Sequence, residues 1–163
     1  MGAILNLRQR LLKAEGFAFD AIIEADYGDD MYSFSMDCRV DAEGNLKFEV
    51  KAPEAIRGIS GRFDTSGGKM IFDEQVLAFP VLADGEITPV SAPWVLSRTL
   101  LGGYIHSVGK EQNGYHAIIN ESYEEKALQL DVWFDSSKKP IRAEILWEGR
   151  RILTITIENF EIL

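Results

Sequence analysis

The sequence predicts an α+β fold in which a large, curved antiparallel sheet wraps around helices. Three observations indicate it: strand patterns that alternate apolar and polar residues, short glycine-containing turns between them, and two segments with helical character. Such short turns make neighbouring strands antiparallel, because parallel strands need connections of a dozen residues or more. The alternation leaves one face of the sheet apolar, and we expect the helices to cover that face.

The chain begins with an amphipathic helix, predicted over residues 3–14 and ended by Gly16. Its apolar residues recur at helical spacing, so they share one face that needs an apolar surface to lie on. These residues are Ile4, Leu7 and Leu11, joined by Leu5 and Leu12. The polar side chains expected on the opposite face are Arg8, Gln9 and Lys13.

Strand patterns follow this helix and occupy residues 17–26, 31–41, 46–51, 59–64, 69–72 and, briefly, 75–78. The clearest pattern puts five apolar residues on one face: Tyr32, Phe34, Met36, Cys38 and Val40. The turns predicted between strands contain glycine, at residues 41–44, 66–68 and 84–85. Pro53 interrupts the pattern, so residues 52–57 are expected to form a turn or a single helical loop.

A second helix is predicted from Ser91, as its cap, to the pair Gly102 and Gly103, with Pro93 in its first turn. It is apolar over much of its circumference, which is atypical of a surface helix. Two interpretations follow. The helix is either buried against the sheet as ordinary core or a partly mobile lid over it.

The last third of the chain reads as a meander of strands at residues 107–111, 115–122, 127–135, 141–147 and 150–160. Asn113-Gly114 and Glu148-Gly149 are expected to be tight hairpin turns. No repeat, low-complexity tract or linker divides the sequence. We therefore expect a single domain over residues 1–163.

Charge and cysteine content exclude some functions. With 26 acidic and 17 basic residues the formal net charge is −9, so no nucleic-acid partner is expected. Cys38 is the only cysteine and lies on an apolar strand face, which indicates a buried hydrophobic residue and not a reactive thiol. No apolar run approaches the roughly 20 residues needed to span a bilayer.

Few residues suggest catalysis. His106 and His116, the only histidines, have no Cys, Asp or Glu at metal-ligand spacing, and no Gly-x-Ser-x-Gly motif is present. The acidic pairs at residues 29–30 and 124–125 lie in predicted turns, where adjacent side chains diverge. We therefore expect no catalytic residue, no metal and no cofactor, and we do not expect an enzyme.

Aromatic and methionine side chains are concentrated on the predicted inner face of the sheet. Such a stripe is more often plain core than a ligand site. A large curved sheet with only two helices to fill it can nevertheless leave a cavity, and apolar cavities take apolar ligands.

The order of elements resembles the LolA/LolB/LppX-type lipoprotein carriers, an unclosed β-barrel with helices in its mouth. Its most specific part is the tail, with the sequence Leu130-Asp-Val-Trp-Phe-Asp-Ser-Ser-Lys-Lys-Pro-Ile-Arg-Ala-Glu-Ile145 followed by Gly149-Arg-Arg-Ile-Leu-Thr-Ile-Thr-Ile-Glu-Asn-Phe160. The resemblance implies an extracytoplasmic protein of the bacterial cell envelope that shields acyl chains. Because Cys38 is internal, a signal or lipid anchor is expected upstream of Met1.

The resulting hypothesis is a non-enzymatic cell-envelope protein that binds a lipid or a lipoprotein acyl group in an apolar cavity between the curved sheet and the second helix. The residues expected to line that cavity are Phe34, Met36, Phe48, Phe63, Met70, Phe72, Trp94, Leu100 and Phe134. The alternative is a structural or regulatory lipoprotein domain whose interior is filled by its own side chains and which acts through a protein–protein surface.

Overall fold

The computed structural model describes residues 1–64 and 88–163 together with the backbone of residues 70–72. The helices are α1 (Gly2–Lys13) and α2 (Ala92–Gly102). The strands are β1 (Gly16–Asp26), β2 (Met31–Asp41), β3 (Leu46–Ala52), β4 (Ser60–Phe63), β5 (Met70–Phe72), β6 (Tyr104–Glu111), β7 (Gly114–Asn120), β8 (Gln129–Asp135), β9 (Pro140–Trp147) and β10 (Arg150–Ile162). Short 3-10 turns occupy Glu54–Ile56 and Pro89–Ser91.

All ten strands form one antiparallel sheet in the order β5-β4-β3-β2-β1-β10-β9-β8-β7-β6. Each half of the chain is a meander, because short turns pair every strand with the next one along the sequence. The first and last strands, β1 and β10, pair over most of their length and join the two meanders. Within the described residues β5 and β6 are the two edges, so the curved sheet is open, and the predicted α+β class is confirmed.

Across the described central strands one face of the sheet is apolar, and we call it the inner face. Alternate residues of β1, among them Phe17, Phe19 and Ile23, are buried on it, and every second residue of β2, β8 and β10 continues it. The buried face of α1 and most of α2 belong to the same hydrophobic core. Within the described residues no helix combines the length and the apolar character that crossing a bilayer requires.

A β-bulge in β10 keeps the inner face apolar to the end of the chain. Ala18 pairs with Glu161 and Asp20 with Glu158, so β10 has one residue more than β1 in this stretch. Asn159 takes a positive φ of 54° here, and its Nδ2 donates to Asp20 Oδ2 over 2.8 Å. The extra residue turns Phe160 inward, where its ring lies 5.5 Å from that of Phe17.

Most predicted elements are confirmed within a residue or two, whereas β6 begins three residues earlier than predicted, and the other exceptions are local. Gly44 and the Glu148-Gly149 pair take the positive φ that their turns require. The turn expected at Asn113-Gly114 lies one residue earlier, because Gly114 already pairs with Glu111. Residues 52–57 contain the expected helical loop as a 3-10 turn. The predicted strand at 75–78 and the predicted turns at 66–68 and 84–85 lie outside the described residues.

The hairpin of β6 and β7 offers a matched test of this packing. A Cβ atom at Gly114 would lie 1.9 Å from the carbonyl oxygen of Phe134, whereas at Gly109 its nearest neighbour would be 4.0 Å away. We expect Gly114→Ala to lower the free energy of unfolding by about 1–3 kcal/mol, because the β8 backbone must shift. Gly109→Ala should leave it within about 0.5 kcal/mol of wild type. Urea unfolding measures both, and equal values would contradict this packing.

Candidate hydrophobic binding site

The helix α2 lies in the connection between the two edge strands and crosses the inner face. The Pro89–Ser91 turn leads into it, and Pro93 occupies its first turn, where a missing N–H costs nothing. Ser91 takes the N-cap position of α2, as predicted, but its side chain makes no cap hydrogen bond to the helix. Its hydroxyl donates to the carbonyl oxygen of Thr88 over 2.8 Å and accepts from the Thr88 N–H over 3.0 Å, so it closes the preceding turn instead.

Nearly the whole circumference of α2 is buried, with eight of its 11 residues inaccessible. Its two buried hydroxyls bond to the helix itself: Ser97 Oγ donates to the Trp94 carbonyl over 2.9 Å, and Thr99 Oγ1 donates to the Val95 carbonyl over 2.7 Å. These bonds satisfy both hydroxyls within the helix, so neither needs a hydrogen-bond partner on the sheet. The side chains that α2 turns toward the sheet are therefore held by apolar packing.

An aromatic stack links α2 to the sheet. Phe63 on β4 stacks on Trp94 with ring centroids 5.5 Å apart and an interplanar angle of 11°, and Phe48 on β3 lies 6.0 Å from Phe63. The Arg98 guanidinium lies 5.7 Å from the Trp94 ring, and its Nη2 is 2.6 Å from Glu121 Oε2. The stack fixes the first turns of α2 over β3 and β4, and the ion pair ties the helix to the segment after β7.

The structure groups some of the predicted cavity residues and separates others. Phe48, Phe63 and Trp94 form the stack, and the other described members are buried in the same core: Phe34, Met36, Leu100 and Phe134. Phe134 lies on β8, five strand positions and roughly 24 Å along the sheet from β3. It is therefore not part of the stack. Met70 and Phe72 belong to β5, but their side chains lie outside the described residues.

Arg8 is a functional candidate that the sequence analysis missed. Predicted on the polar face of α1, it instead reaches the end of α2, where Nε donates to the Leu100 carbonyl over 2.8 Å and Nη2 to the Thr99 carbonyl over 3.0 Å. Both carbonyls belong to the last turn of α2, where donors within the helix run out. The Thr99 carbonyl also accepts from the Gly103 N–H over 2.9 Å. Burial lowers the pKa of Arg8, and the nearby Tyr123 partly opposes that shift. The guanidinium thus latches α1 to α2.

Replacing Arg8 tests this latch. Arg8→Gln should lower the free energy of unfolding by about 1–3 kcal/mol, because two charge-assisted hydrogen bonds to helix-end carbonyls are lost. Arg8→Lys should fall between Gln and wild type, since an ammonium cannot reproduce the paired guanidinium donors. The control is Arg10→Gln, an exposed position on the same helix that should be near neutral. Equal urea midpoints for Arg8→Gln and Arg10→Gln would contradict the latch.

The two histidines considered for catalysis lie on β6 and β7. His116 stacks on Trp133 with ring centroids 4.5 Å apart, and its ring nitrogens lie 4.0 Å from Glu111 and 3.9 Å from Asp131. His106 Nε2 is 3.4 Å from Asn120 Nδ2. Among the described residues no three His, Cys, Asp or Glu side chains are arranged to hold a metal ion.

Cys38 is buried on the inner face of β2. Burial raises the pKa of its thiol well above the usual value, and the carboxylates of Asp37 and Asp20 raise it further. At pH 8 the native thiol therefore stays protonated. We expect iodoacetamide to leave Cys38 unmodified in the native protein and to alkylate it fully in urea, as followed by mass spectrometry. Alkylation of the native protein at the rate of the unfolded chain would show that the strand is accessible.

Three grooves lined by described residues lie elsewhere. One, of about 500 Å³, crosses the polar face of β3, β2 and β1, where Asp20, Asp37 and Glu49 face Arg39 and Lys47. A second of about 240 Å³ lies beside α1, and a third of about 100 Å³ lies near the β9–β10 turn. None of these three is beside Trp94. In this structure the chain's own side chains cover the described part of the inner face.

Comparison with known proteins supplies fold-level similarities only. No family model matches the chain, and no curated protein matches it. The similar solved structures include a LolA superfamily protein from Nitrosomonas europaea, with 9% identity, a TM-score of 0.45 and coverage of 99% of this chain and 92% of that one. A LolA superfamily protein is therefore among the structures to which this chain is similar.

Two further solved structures have similarly low identities and TM-scores. A putative outer membrane lipoprotein-sorting protein domain from Vibrio parahaemolyticus is 6% identical with a TM-score of 0.41, covering 98% of this chain and 90% of that one. The MucA/MucB complex from Pseudomonas aeruginosa gives 10% identity and a TM-score of 0.44, covering 99% of this chain and 57% of that one. At these identities and TM-scores, the likenesses show neither a ligand nor a partner.

Proposed function

We propose that the protein is a non-enzymatic carrier of the cell envelope that holds a lipid or the acyl part of a lipoprotein between the inner face of the sheet and α2. The observation that carries this proposal is the way α2 is attached. Apolar side chains hold it to the sheet, while its described polar links lead to α1 and to Glu121. The helix can therefore exchange its apolar contacts for those of a ligand.

The exchange is energetically feasible because it replaces one apolar surface with another. When α2 moves away from β3 and β4, the stack of Phe48, Phe63 and Trp94 opens an apolar crevice. An acyl chain that enters regains roughly 0.8 kcal/mol for each buried CH2 group. No charged contact is required inside, and the hydroxyls of α2 remain satisfied within the helix.

In this proposal α2 is a lid and the Arg8 latch sets how readily it opens. The latch holds the end of α2, whereas the aromatic stack holds its beginning. Breaking the two hydrogen bonds frees the end of α2. It leaves no buried charge without a partner, because the half-buried Arg8 guanidinium can turn toward solvent. The closed arrangement described here is then the ligand-free state.

The alternative function is a structural or regulatory domain that acts through a protein–protein surface. One observation favours it: the seven described residues of the predicted cavity are all buried by the protein itself. Native mass spectrometry after mild extraction separates the two. A co-purifying hydrophobic mass supports the carrier, whereas an apo mass together with no uptake of a fluorescent fatty acid supports the surface function.

Trp94 is the position at which to test ligand uptake. Trp94→Asp should weaken binding of a fluorescent fatty acid by roughly tenfold or more, because a carboxylate in an apolar crevice must be desolvated. Trp94→Phe should keep uptake within about threefold of wild type, since it preserves an apolar ring. The matched control is Trp133→Phe on the polar face of β8.

The folded state of each variant is checked by circular dichroism before binding is compared. If Trp94→Asp does not fold, fatty-acid uptake by wild type and by Trp94→Phe tests the carrier proposal instead. Saturable uptake by both supports the crevice, and its absence in both overturns the carrier. Unchanged uptake in a folded Trp94→Asp protein would also contradict the proposal.

A further inference from the structure

We propose that the groove between α1 and the β8–β9 turn binds an oxyanion attached to a short alkyl chain, such as an alkyl carboxylate or an alkyl phosphate. The groove has a volume of about 240 Å³, and its lining comes from α1, the β8–β9 turn and the end of β10. It is therefore separate from the crevice between α2 and the sheet, and anion binding here does not depend on the carrier function. Three features of the groove support the binding: its apolar floor, its cations and the strained backbone that presents one of them.

The floor of the groove is apolar. It contains Leu7 of α1 together with Phe160 and Ile162 of β10. Leu7 and Phe160 belong to the hydrophobic core, and Ile162 is partly buried against that core. An alkyl chain lying on this floor would remove apolar surface from water, which favours binding. Since sites that enclose a whole drug-sized ligand measure roughly 300–1,000 Å³, we expect this smaller groove to take a headgroup and the first few carbons of a chain.

Three cationic residues line the same groove: Arg10 of α1, and Lys138 and Lys139 of the β8–β9 turn. Arg10 follows Leu7 by three residues, so it lies on the same side of α1 as that part of the floor. Glu161 is the one carboxylate in the lining, so the groove is positive although the chain has a net charge of −9. The ion pairs that form among the described residues use other cations. The charge of the groove therefore favours an anion.

The β8–β9 turn holds its two lysines in a fixed and strained conformation. Asp135 Oδ1 accepts from the Ser137 N–H over 2.8 Å and from the Lys139 N–H over 3.0 Å, and the Lys138 N–H donates to the Asp135 carbonyl over 2.9 Å. Lys138 takes a positive φ of 68°, which glycine and asparagine adopt more readily than lysine does. Because such strain is concentrated at functional positions, a lysine here indicates a use for its side chain.

The shape and chemistry of the groove favour a small amphiphilic anion. The three cations line a concave space, which a flat anionic surface cannot enter. One guanidinium and two ammonium groups supply several donors, and a carboxylate or phosphate has the matching number of acceptor sites. The apolar floor beside these donors favours an oxyanion with an alkyl chain over inorganic phosphate. The charge favours the same molecule over a neutral alcohol with that chain.

A titration of the nitrogen-15-labelled protein, followed by amide chemical shifts in NMR spectra, tests the proposal with hexyl phosphate, inorganic phosphate and hexanol. We expect hexyl phosphate to shift the amides of residues 7–13, 135–139 and 160–162. It should bind roughly tenfold more tightly than inorganic phosphate, which has no alkyl chain, and than hexanol, which has no charge. High salt should weaken the binding of hexyl phosphate, because it screens the cations.

Lys138→Asn separates binding from stability. It should weaken hexyl phosphate binding by roughly three- to tenfold and leave the urea midpoint at or above that of wild type, because asparagine tolerates a positive φ. Arg10→Gln should weaken binding by a similar factor. Glu161→Gln should tighten it by roughly twofold or more, since it removes a like charge from the lining. The control is the double variant Lys47→Gln, Lys110→Gln, which removes two exposed cations elsewhere and should bind as wild type does.

Decyl phosphate, kept below its micelle concentration, identifies the source of the ligand. Binding tenfold or more tighter than that of hexyl phosphate indicates the headgroup of a lipid, and a smaller difference indicates a small soluble anion. The proposal is overturned if hexanol binds as tightly as hexyl phosphate, or if inorganic phosphate does, which would leave an adventitious ion only. It is also overturned if the groove variants bind as the control does. Groove binding by a protein that takes up no fatty acid would overturn the carrier function alone.

Discussion

The pairing of β1 with β10 is the interaction on which the rest of the structure depends. Within each meander, every strand pairs with its neighbour in the sequence. Only the pairing of β1 with β10 joins the two meanders into one ten-stranded sheet. It places β5 and β6 at opposite edges, so the connection between them must cross the sheet. The route across is the inner face, where α2 lies. Strand order therefore requires a crossing segment, and apolar packing holds α2 on the inner face.

Local features were predictable because they depend on neighbours in sequence. The face of α1 that carries Ile4, Leu7 and Leu11 follows from helical periodicity, and the turn at Gly44 follows from glycine's tolerance of positive φ. The burial of the five described cavity residues on strands follows from strand alternation, and that of Trp94 and Leu100 follows from the apolar circumference of α2. The interpretation of the inner face as a ligand site stays a prediction, since alternation describes core and cavity equally well.

Features that depend on tertiary proximity were not predictable. Arg8 has a polar position on an amphipathic helix, and nothing in its sequence neighbourhood indicates that the end of α2 lies beside it. Ser91 has the residue type of a helix cap, but its hydroxyl pairs with Thr88 because a 3-10 turn precedes α2. The two helices also differ in how much of their surface is exposed to solvent. α2 is almost wholly buried, whereas α1 has one face in the core and another, with Leu5 and Leu12, in solvent.

The bulge at Asn159 determines which side chains of the chain's last residues face the interior. If the same residues paired without a bulge, strict alternation from Ile157 would direct Asn159 and Glu161 inward and leave Phe160 in water. The bulge therefore absorbs one residue of length without changing which side chains are dry. Deleting Asn159 would remove the irregularity and still leave Phe160 inside, because Phe160 would then directly follow the outward-facing Glu158.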